Sequence, residues 1–419
     1  MGPLHGVKRP KTKKNRDDLR EAIMPSPYRH AITALFLAVM LGAAVAGILA
    51  PYRNWDMLCY VASVSSWRLD SPQSIYDATI SDVAGTTPDW IVTQFLANPL
   101  SSSAKNFNHV LPMCQVKPLY NALLWAISKI SGIPLSTASS LVSAIAFAIA
   151  SLVLVAFPLK ECPRPIWLIA ILALAFAGPW PLATLARMST PDSLCLLLTM
   201  VAFLGLLRRH ELLFSGAALL ASLTRPDAAI LMMCLTIWTL RDCWISSHRR
   251  TWMILAGGLV LVAFSQVAVS YFAHSYSFEK MFYYTFVNRT SEIASLSGNL
   301  VSTESYLNVL SYGFNTMLGS TRFCMVAGTA LLGAIAHYLA PAPLVNRHRQ
   351  ILGVCWTAFA IRFTVWPASG EDRFYFGYFL ISLCCSIELM APLGKICHAA
   401  LLDHRASLIE RYRGEGTKS

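Results

Sequence analysis

The chain has 419 residues, of which 55% are hydrophobic and only 13% are Asp, Glu, Lys or Arg. A soluble globular domain carries roughly 25% charged residues, so that class is excluded. The formal net charge of +12 does not point to nucleic acid, because the basic residues gather in short clusters beside apolar blocks, where lipid headgroups account for them.

A basic leader runs from Lys8 to Arg29, and residues 1–30 read as a cytoplasmic tail. The first apolar block, Ala31–Ala50, is too long for a signal-peptide core and lacks a small-residue cleavage pattern, so it is expected to be a retained anchor. Further blocks free of Lys, Arg, Asp and Glu follow at Leu141–Pro158, Ile166–Ala183, Met253–Phe272, Met325–Ala340 and Phe376–Ile387. Several approach the ~20 residues that cross a bilayer core, and in lipid such segments must be helical to satisfy their own backbone. Residues 31–419 therefore read as a single all-α transmembrane domain.

Basic clusters at Lys160–Arg164, Arg208-Arg209, Arg241–Arg250, Arg347–Arg349 and Lys395–Arg413 mark the cytoplasmic side. Placing them inside makes 51–117 a long outer loop and predicts about ten crossings with both termini cytoplasmic. The stretch Leu212–Leu240 must leave and return between basic flanks, yet it is interrupted at Thr224-Arg225-Pro226-Asp227. Each arm is then about 13 residues, or about 20 Å of helix, which predicts a pair of short helices lining a polar cavity. Helices are expected at about 253–273, 319–341, 350–367 and 375–394 as well. The segment Pro118–Ile133 is left over by parity and reads as re-entrant or interfacial. A bacterial inner membrane is the simplest host.

The 11 cysteines form no CxxC pair and no metal-ligand spacing. Only Cys59 and Cys114 fall in the outer loop, where they are either bonded or two free thiols. Asp56, Lys117, Arg187, Asp192, Arg225, Asp227, Arg322, Glu371, Asp372 and Arg373 all map to the outer face on this topology. Ionisable groups at membrane depth are costly and usually functional. Several also have plain structural readings: Asp192 as an N-terminal cap in the helix start Ser189-Thr190-Pro191-Asp192, Arg225–Asp227 as a pair satisfying the break, and Lys117 as a snorkelling anchor. Asp56 is different, since its Trp55-Asp56-Met57 context close to the membrane suits a general base. A face carrying both signs suits a phosphorylated substrate that must also lose a proton.

In this order the motifs resemble the GT-C integral-membrane glycosyltransferases, which use polyprenyl-phosphate sugars and include the protein mannosyltransferases and the lipid A aminoarabinose transferase. Asn54-Trp55-Asp56 matches the family's early acidic element, and Lys117-Pro118-Leu119-Tyr120 the start of the following helix. Gly216–Thr224 with Arg225-Pro226-Asp227 matches the small-residue helix and its turn, and Glu371-Asp372-Arg373-Phe374-Tyr375 the late turn. The chain departs from the pattern in having one proline after Lys117 and in Phe374 following Arg373. The resemblance implies inverting transfer of a sugar to a glycan, lipid or protein acceptor at the outer leaflet, with Asp56 as base. It implies that Lys117, with Arg373 or Arg225, faces the leaving phosphate, and that Tyr120, Asp192, Asp227, Glu371 and Asp372 bind substrate. No cofactor or metal is expected, because no Asp-x-Asp or Glu-x-Asp pair lies beside Asp56. Two other classes fit less of the pattern: a secondary transporter or flippase of envelope glycan precursors, for which broken helices also occur, and a non-catalytic scaffold.

Overall fold

The computed structural model describes residues 26–159, 162–177, 184–288, 293, 296–298, 300–340, 346–367 and 372–415. Among these the chain is helical throughout, with no strand beyond a single bridge between Tyr52 and Met188. Six helices among the described residues are long and apolar enough to cross a membrane, which makes this a membrane protein of the helical-bundle kind.

The first helix, α1 (Ser26–Leu49), begins before the apolar block that predicted it. The expected outer loop is not a loop. It folds into α2 (Trp55–Ser65), α3 (Pro72–Ala84), α4 (Asp89–Ala97) and α5 (Ala104–Gln115). Local signals explain two of these starts: Ser71 Oγ accepts from the Ser74 N–H at 3.0 Å with Pro72 at the first helical position, and Ser103 Oγ accepts from the Asn106 N–H at 3.2 Å. These helices pack into two apolar clusters, one built on Met57, Leu58, Val61 and Phe107, the other on Val64 and Cys114 and continuing through Leu124, Val142 and Leu194 into the rest of the chain. A Cys59–Cys114 disulfide, with Cα atoms 5.7 Å apart, closes the unit. The leftover segment forms α6 (Pro118–Ser131), a 14-residue helix.

The bundle itself comprises α1, α7 (Leu135–Val155), α8 (Arg164–Phe176), α10 (Asp192–Arg208), α11 (Glu211–Thr224), α12 (Ala228–Ile245), α13 (Arg249–Phe272), α16 (Thr321–Leu339), α17 (Asn346–Val365) and α18 (Phe376–Glu415). A four-residue α9 (Thr184–Arg187) precedes α10. Small buried residues along α7, among them Ala138, Ser139, Ser143, Ala146 and Ala150, let α1 and α10 pack closely on it, as small residues do between membrane helices. Gly47 serves the same end, since any side chain there would run into the Ala186 carbonyl. By contrast only 11% of the apolar window of α13 is buried, and Val260, Phe264, Val267 and Tyr271 point outward. An apolar helix with that exposure is solvated by lipid.

Other parts of the helix pattern differ from expectation. The break at Pro226 is present, but the second arm, α12, runs 18 residues and is long enough to span. The last helix continues beyond residue 394 to Glu415. Residues 303–318, unassigned from sequence, form α15 (Thr303–Leu318), whose N-cap Ser302 accepts from the Ser305 N–H at 3.1 Å. It follows α14 (Phe278–Phe282) and a π-helical turn at Tyr283–Val287. Residues 1–25 of the basic tail and Lys160 lie outside the described residues, and residues 26–30 belong to α1.

Candidate functional site

Helix ends set the site. Pro226 has no N–H and disfavours helical geometry at the residue before it. Arg225 is accordingly extended (φ −147°, ψ 121°), α11 stops, and α12 restarts with Asp227 at its N-cap. Asp192 is not the N-cap expected from sequence: Pro191 holds that position, and Asp192 follows in the first turn of α10, as Asp56 does in the first turn of α2, where carboxylates oppose the helix dipole favourably. Arg362 stands in the last turn of α17, the complementary place for a cation. Arg373 belongs to the short 3₁₀ turn Asp372–Tyr375 that leads into α18.

These residues form one chain of alternating charge. Arg373 Nη2 donates to Asp56 Oδ2 at 3.0 Å and Nη1 to Asp192 Oδ2 at 3.4 Å. Asp192 also pairs with Arg225. Arg225 grips Asp227 in a fork, Nε to Oδ1 at 3.0 Å and Nη2 to Oδ2 at 3.2 Å. Arg362 completes the series on Asp227 Oδ2 at 3.1 and 3.3 Å. The start of α10, the junction of α11 with α12, and the end of α17 with the start of α18 thus lie together at one end of the bundle. The Phe374 ring sits between the guanidiniums, 4.4 Å from Arg225 and 5.0 Å from Arg373.

Burial varies along the chain. The Asp56 side chain is 37% exposed, while those of Asp192 and Arg362 are each 2% exposed. Charges so deep persist only when paired. Burial alone would push the Asp227 carboxyl up, but the Arg225 and Arg362 guanidiniums outweigh it and hold the group well below the usual carboxylate range. A cavity continues from the network between α10, α12 and α18, with Thr199, Leu231 and Tyr378 on its walls.

Lys117, at the N-cap of α6, stands beside this chain. Its Nζ donates to the Tyr60 hydroxyl at 2.6 Å and lies 4.6 Å from the centre of that ring. Burial, reinforced by Arg225, lowers its pKa to about 8, against the opposing pull of Asp56 and Asp227.

Of the residues singled out from sequence, Asp56, Lys117, Asp192, Arg225, Asp227 and Arg373 come together. Tyr120 is fully buried, its hydroxyl 2.8 Å from Ser139 Oγ and its ring edge-on to Tyr60 at 5.1 Å, so it braces Tyr60 and does not line the cavity. Asp372 lies in the 3₁₀ turn, and Glu371 lies outside the described residues. Arg187 stands apart from the network: its Nε donates to the Ala50 carbonyl at 2.9 Å and its own carbonyl accepts from Tyr52 N at 2.8 Å, which pins the end of α1. Arg322 is buried against the Phe376 ring at 5.3 Å. Sequence reasoning missed Arg362, a lone charge in an apolar stretch, which the cost of intramembrane charge would have flagged. It also missed Arg53, whose Nη1 donates to the Ser136 carbonyl at 2.5 Å and to Ser140 Oγ at 2.9 Å, fixing the α1–α2 turn on α7. Among the described residues no group of three His, Cys, Asp or Glu side chains is placed to hold a metal ion. Comparison of the chain with protein-family models, with curated proteins and with solved structures gave no match.

Proposed function

We propose that the protein is an integral-membrane glycosyltransferase of the GT-C kind, which moves a sugar from a polyprenyl-phosphate donor to an acceptor hydroxyl at the outer face of a bacterial inner membrane. The observation that carries this reading is the junction of Asp56 with Arg373 and, through it, with Asp192, Arg225, Asp227 and Arg362, beside Lys117. It places an exposed carboxylate next to a concentration of cations, which a reaction needs when it takes a proton from one group and releases a phosphate from another. Asp56, oriented by Arg373, accepts the proton of the acceptor hydroxyl. The acceptor oxygen bonds to the anomeric carbon as the bond from that carbon to the phosphate oxygen breaks, inverting the centre. Arg373, Lys117 and Arg225 face the charge gathering on the departing polyprenyl phosphate.

About ten crossings with both termini cytoplasmic remain our topology, the shorter α8, α10 and α11 and the charged α17 crossing beside the six long apolar helices. Alternating crossings bring the start of α10, the end of α11 and the end of α17 to one side, in keeping with their direct ion pairs. A disulfide in the α2–α5 unit also favours an oxidising compartment on that side. The test is transfer of radiolabelled sugar by the purified protein in lipid nanodiscs at saturating donor. A general base contributes about 10²–10⁴-fold, so Asp56→Asn should lose that much turnover while still binding donor. Near-normal turnover would remove Asp56 from the role, and movement of a glycolipid across vesicles without any transfer would favour a flippase.

A further inference from the structure

One face of α2 carries more than the proposed base. Asp56, Cys59 with Tyr60, Ser63 and the C-cap Ser66 recur every three to four residues, which stacks them on one side of the helix. The last four are each tied to the corner between α5 and α6. Cys59 is bonded to Cys114 near the end of α5. Asn121 Nδ2 donates to Ser63 Oγ at 2.8 Å and to the Cys114 carbonyl at 3.1 Å, and Gln115 Nε2 donates to Ser66 Oγ at 3.2 Å. Tyr60 receives Lys117, which occupies the corner itself, between the last residue of α5 and Pro118 at the head of α6. Behind it, the Tyr120 ring closes on Tyr60.

A lysine at a helix corner is a flexible stem with a mobile ammonium. Here three links bring its backbone to α2, and the fourth takes hold of its tip one helical turn from Asp56. We infer that Tyr60 is a positioning residue for Lys117, and that the Cys59–Cys114 disulfide keeps the two in register, so that the ammonium stands ready for an anionic group beside Asp56. This rests on the glycosyl-transfer reading above for its catalytic meaning, but the clamp is a property of the fold. The ionisation of Lys117 fits it. Lys117 is surrounded by Asp56 and Tyr60 of α2, Arg225 at the end of α11, Asp227 at the head of α12 and Arg373 before α18. Burial and the two arginines oppose its charge, so the hydroxyl oxygen that accepts from the ammonium helps to retain it.

Tyr60→Phe keeps the ring, its cation–π contact and its packing on Tyr120, and removes only the oxygen. Loss of one hydrogen bond to a charged group should raise the apparent KM for the donor about tenfold, with a smaller change in kcat. The alkaline limb of the kcat/KM profile should move to lower pH. Combined with Lys117→Ala it should add little, since both changes remove one interaction. A second arm does not depend on turnover: the rate at which acetic anhydride acylates Lys117, read by mass spectrometry across pH 6–9 in nanodiscs. Tyr60→Phe should increase acylation at neutral pH, and so should the paired Cys59→Ser and Cys114→Ser variant. Acylation matching the wild type in both proteins would overturn the clamp, as would independent effects of Tyr60→Phe and Lys117→Ala on transfer. A wild-type protein that transfers no sugar would sink the glycosyl-transfer reading, and the acylation rates would still decide the clamp.

Discussion

Arg362 offers the sharpest probe of the buried half of the network, because its side chain is 2% exposed and its partners are few. It makes two bonds to Asp227 Oδ2, at 3.1 and 3.3 Å, and Nη1 donates to the Trp366 carbonyl at 2.5 Å. Arg362→Met keeps much of the volume and removes the charge. Breaking a buried pair costs about 3–5 kcal/mol. Asp227 retains the Arg225 fork and its side chain is 22% exposed, which argues for the low end, about 3 kcal/mol. Adding Asp227→Asn removes the uncompensated charge while leaving an oxygen for Arg225, so the double variant should recover part of the loss. Thermal unfolding followed by tryptophan fluorescence in nanodiscs measures both. The pH dependence follows from the same pair. A carboxyl held below its ordinary 3.8 in the folded state lends stability that is full above that value and lost as pH falls beneath it. Arg362→Met relaxes part of that depression, so the acid loss of the variant should be smaller than that of the wild type and should level off at a higher pH. A single variant as stable as wild type, or a double variant no better than the single, would refute this reasoning.

Lys117→Ala should raise the apparent KM for donor and lower turnover, whereas Lys117→Arg should keep part of the activity, the charge persisting without the compact point contact; steady-state kinetics of both variants against donor concentration decide it, and wild-type behaviour of the alanine variant would pass the phosphate-facing role to Arg373 or Arg225. A reporter active only outside the cytoplasm should be active when fused after Asp89 and silent when fused after Arg209 or Arg249; activity after Arg209 would overturn the shared outer face.

How much of this was readable in the sequence depended on whether the signal was local. The break at Arg225-Pro226-Asp227 was legible, because proline acts on its own neighbours. The long apolar helices were legible from block length. The helices of 51–117 were not, although Ser71-Pro72 and Ser103 are readable caps, because short amphipathic helices hide between charged residues when a membrane topology is drawn from apolar blocks alone. Pairing was out of reach altogether. Asp56 and Arg373 are 317 residues apart, and nothing local states that one will meet the other. The same holds for Cys59 and Cys114, whose bonding depends on the space between α2 and α5 and not on their spacing in the chain. For Tyr120 the motif position suggested a ligand contact, and its packing is equally non-local: α6 on α7 sets its hydroxyl beside Ser139.

The order of charges argues for a division of labour within the site. From Arg373 through Asp192, Arg225 and Asp227 each group has an opposite charge on both sides. Removing any of these inner members leaves a neighbour with one partner fewer in a poorly solvated place, so each helps to hold the site together whatever else it does. The open end is different. Asp56 is the most exposed carboxylate of the series, and Lys117 beside it bonds to a tyrosine hydroxyl in place of a carboxylate. Three carboxylates and three guanidiniums cancel, so Lys117 is the surplus positive charge of the site when protonated. Under the proposed reaction an arriving phosphate would find that surplus at the mouth and would need to disturb only the Asp56–Arg373 contact, not the buried pairs behind it. Sharing Arg373 with a phosphate would leave Asp56 less tightly paired just where the acceptor hydroxyl must come, coupling donor binding to release of the base.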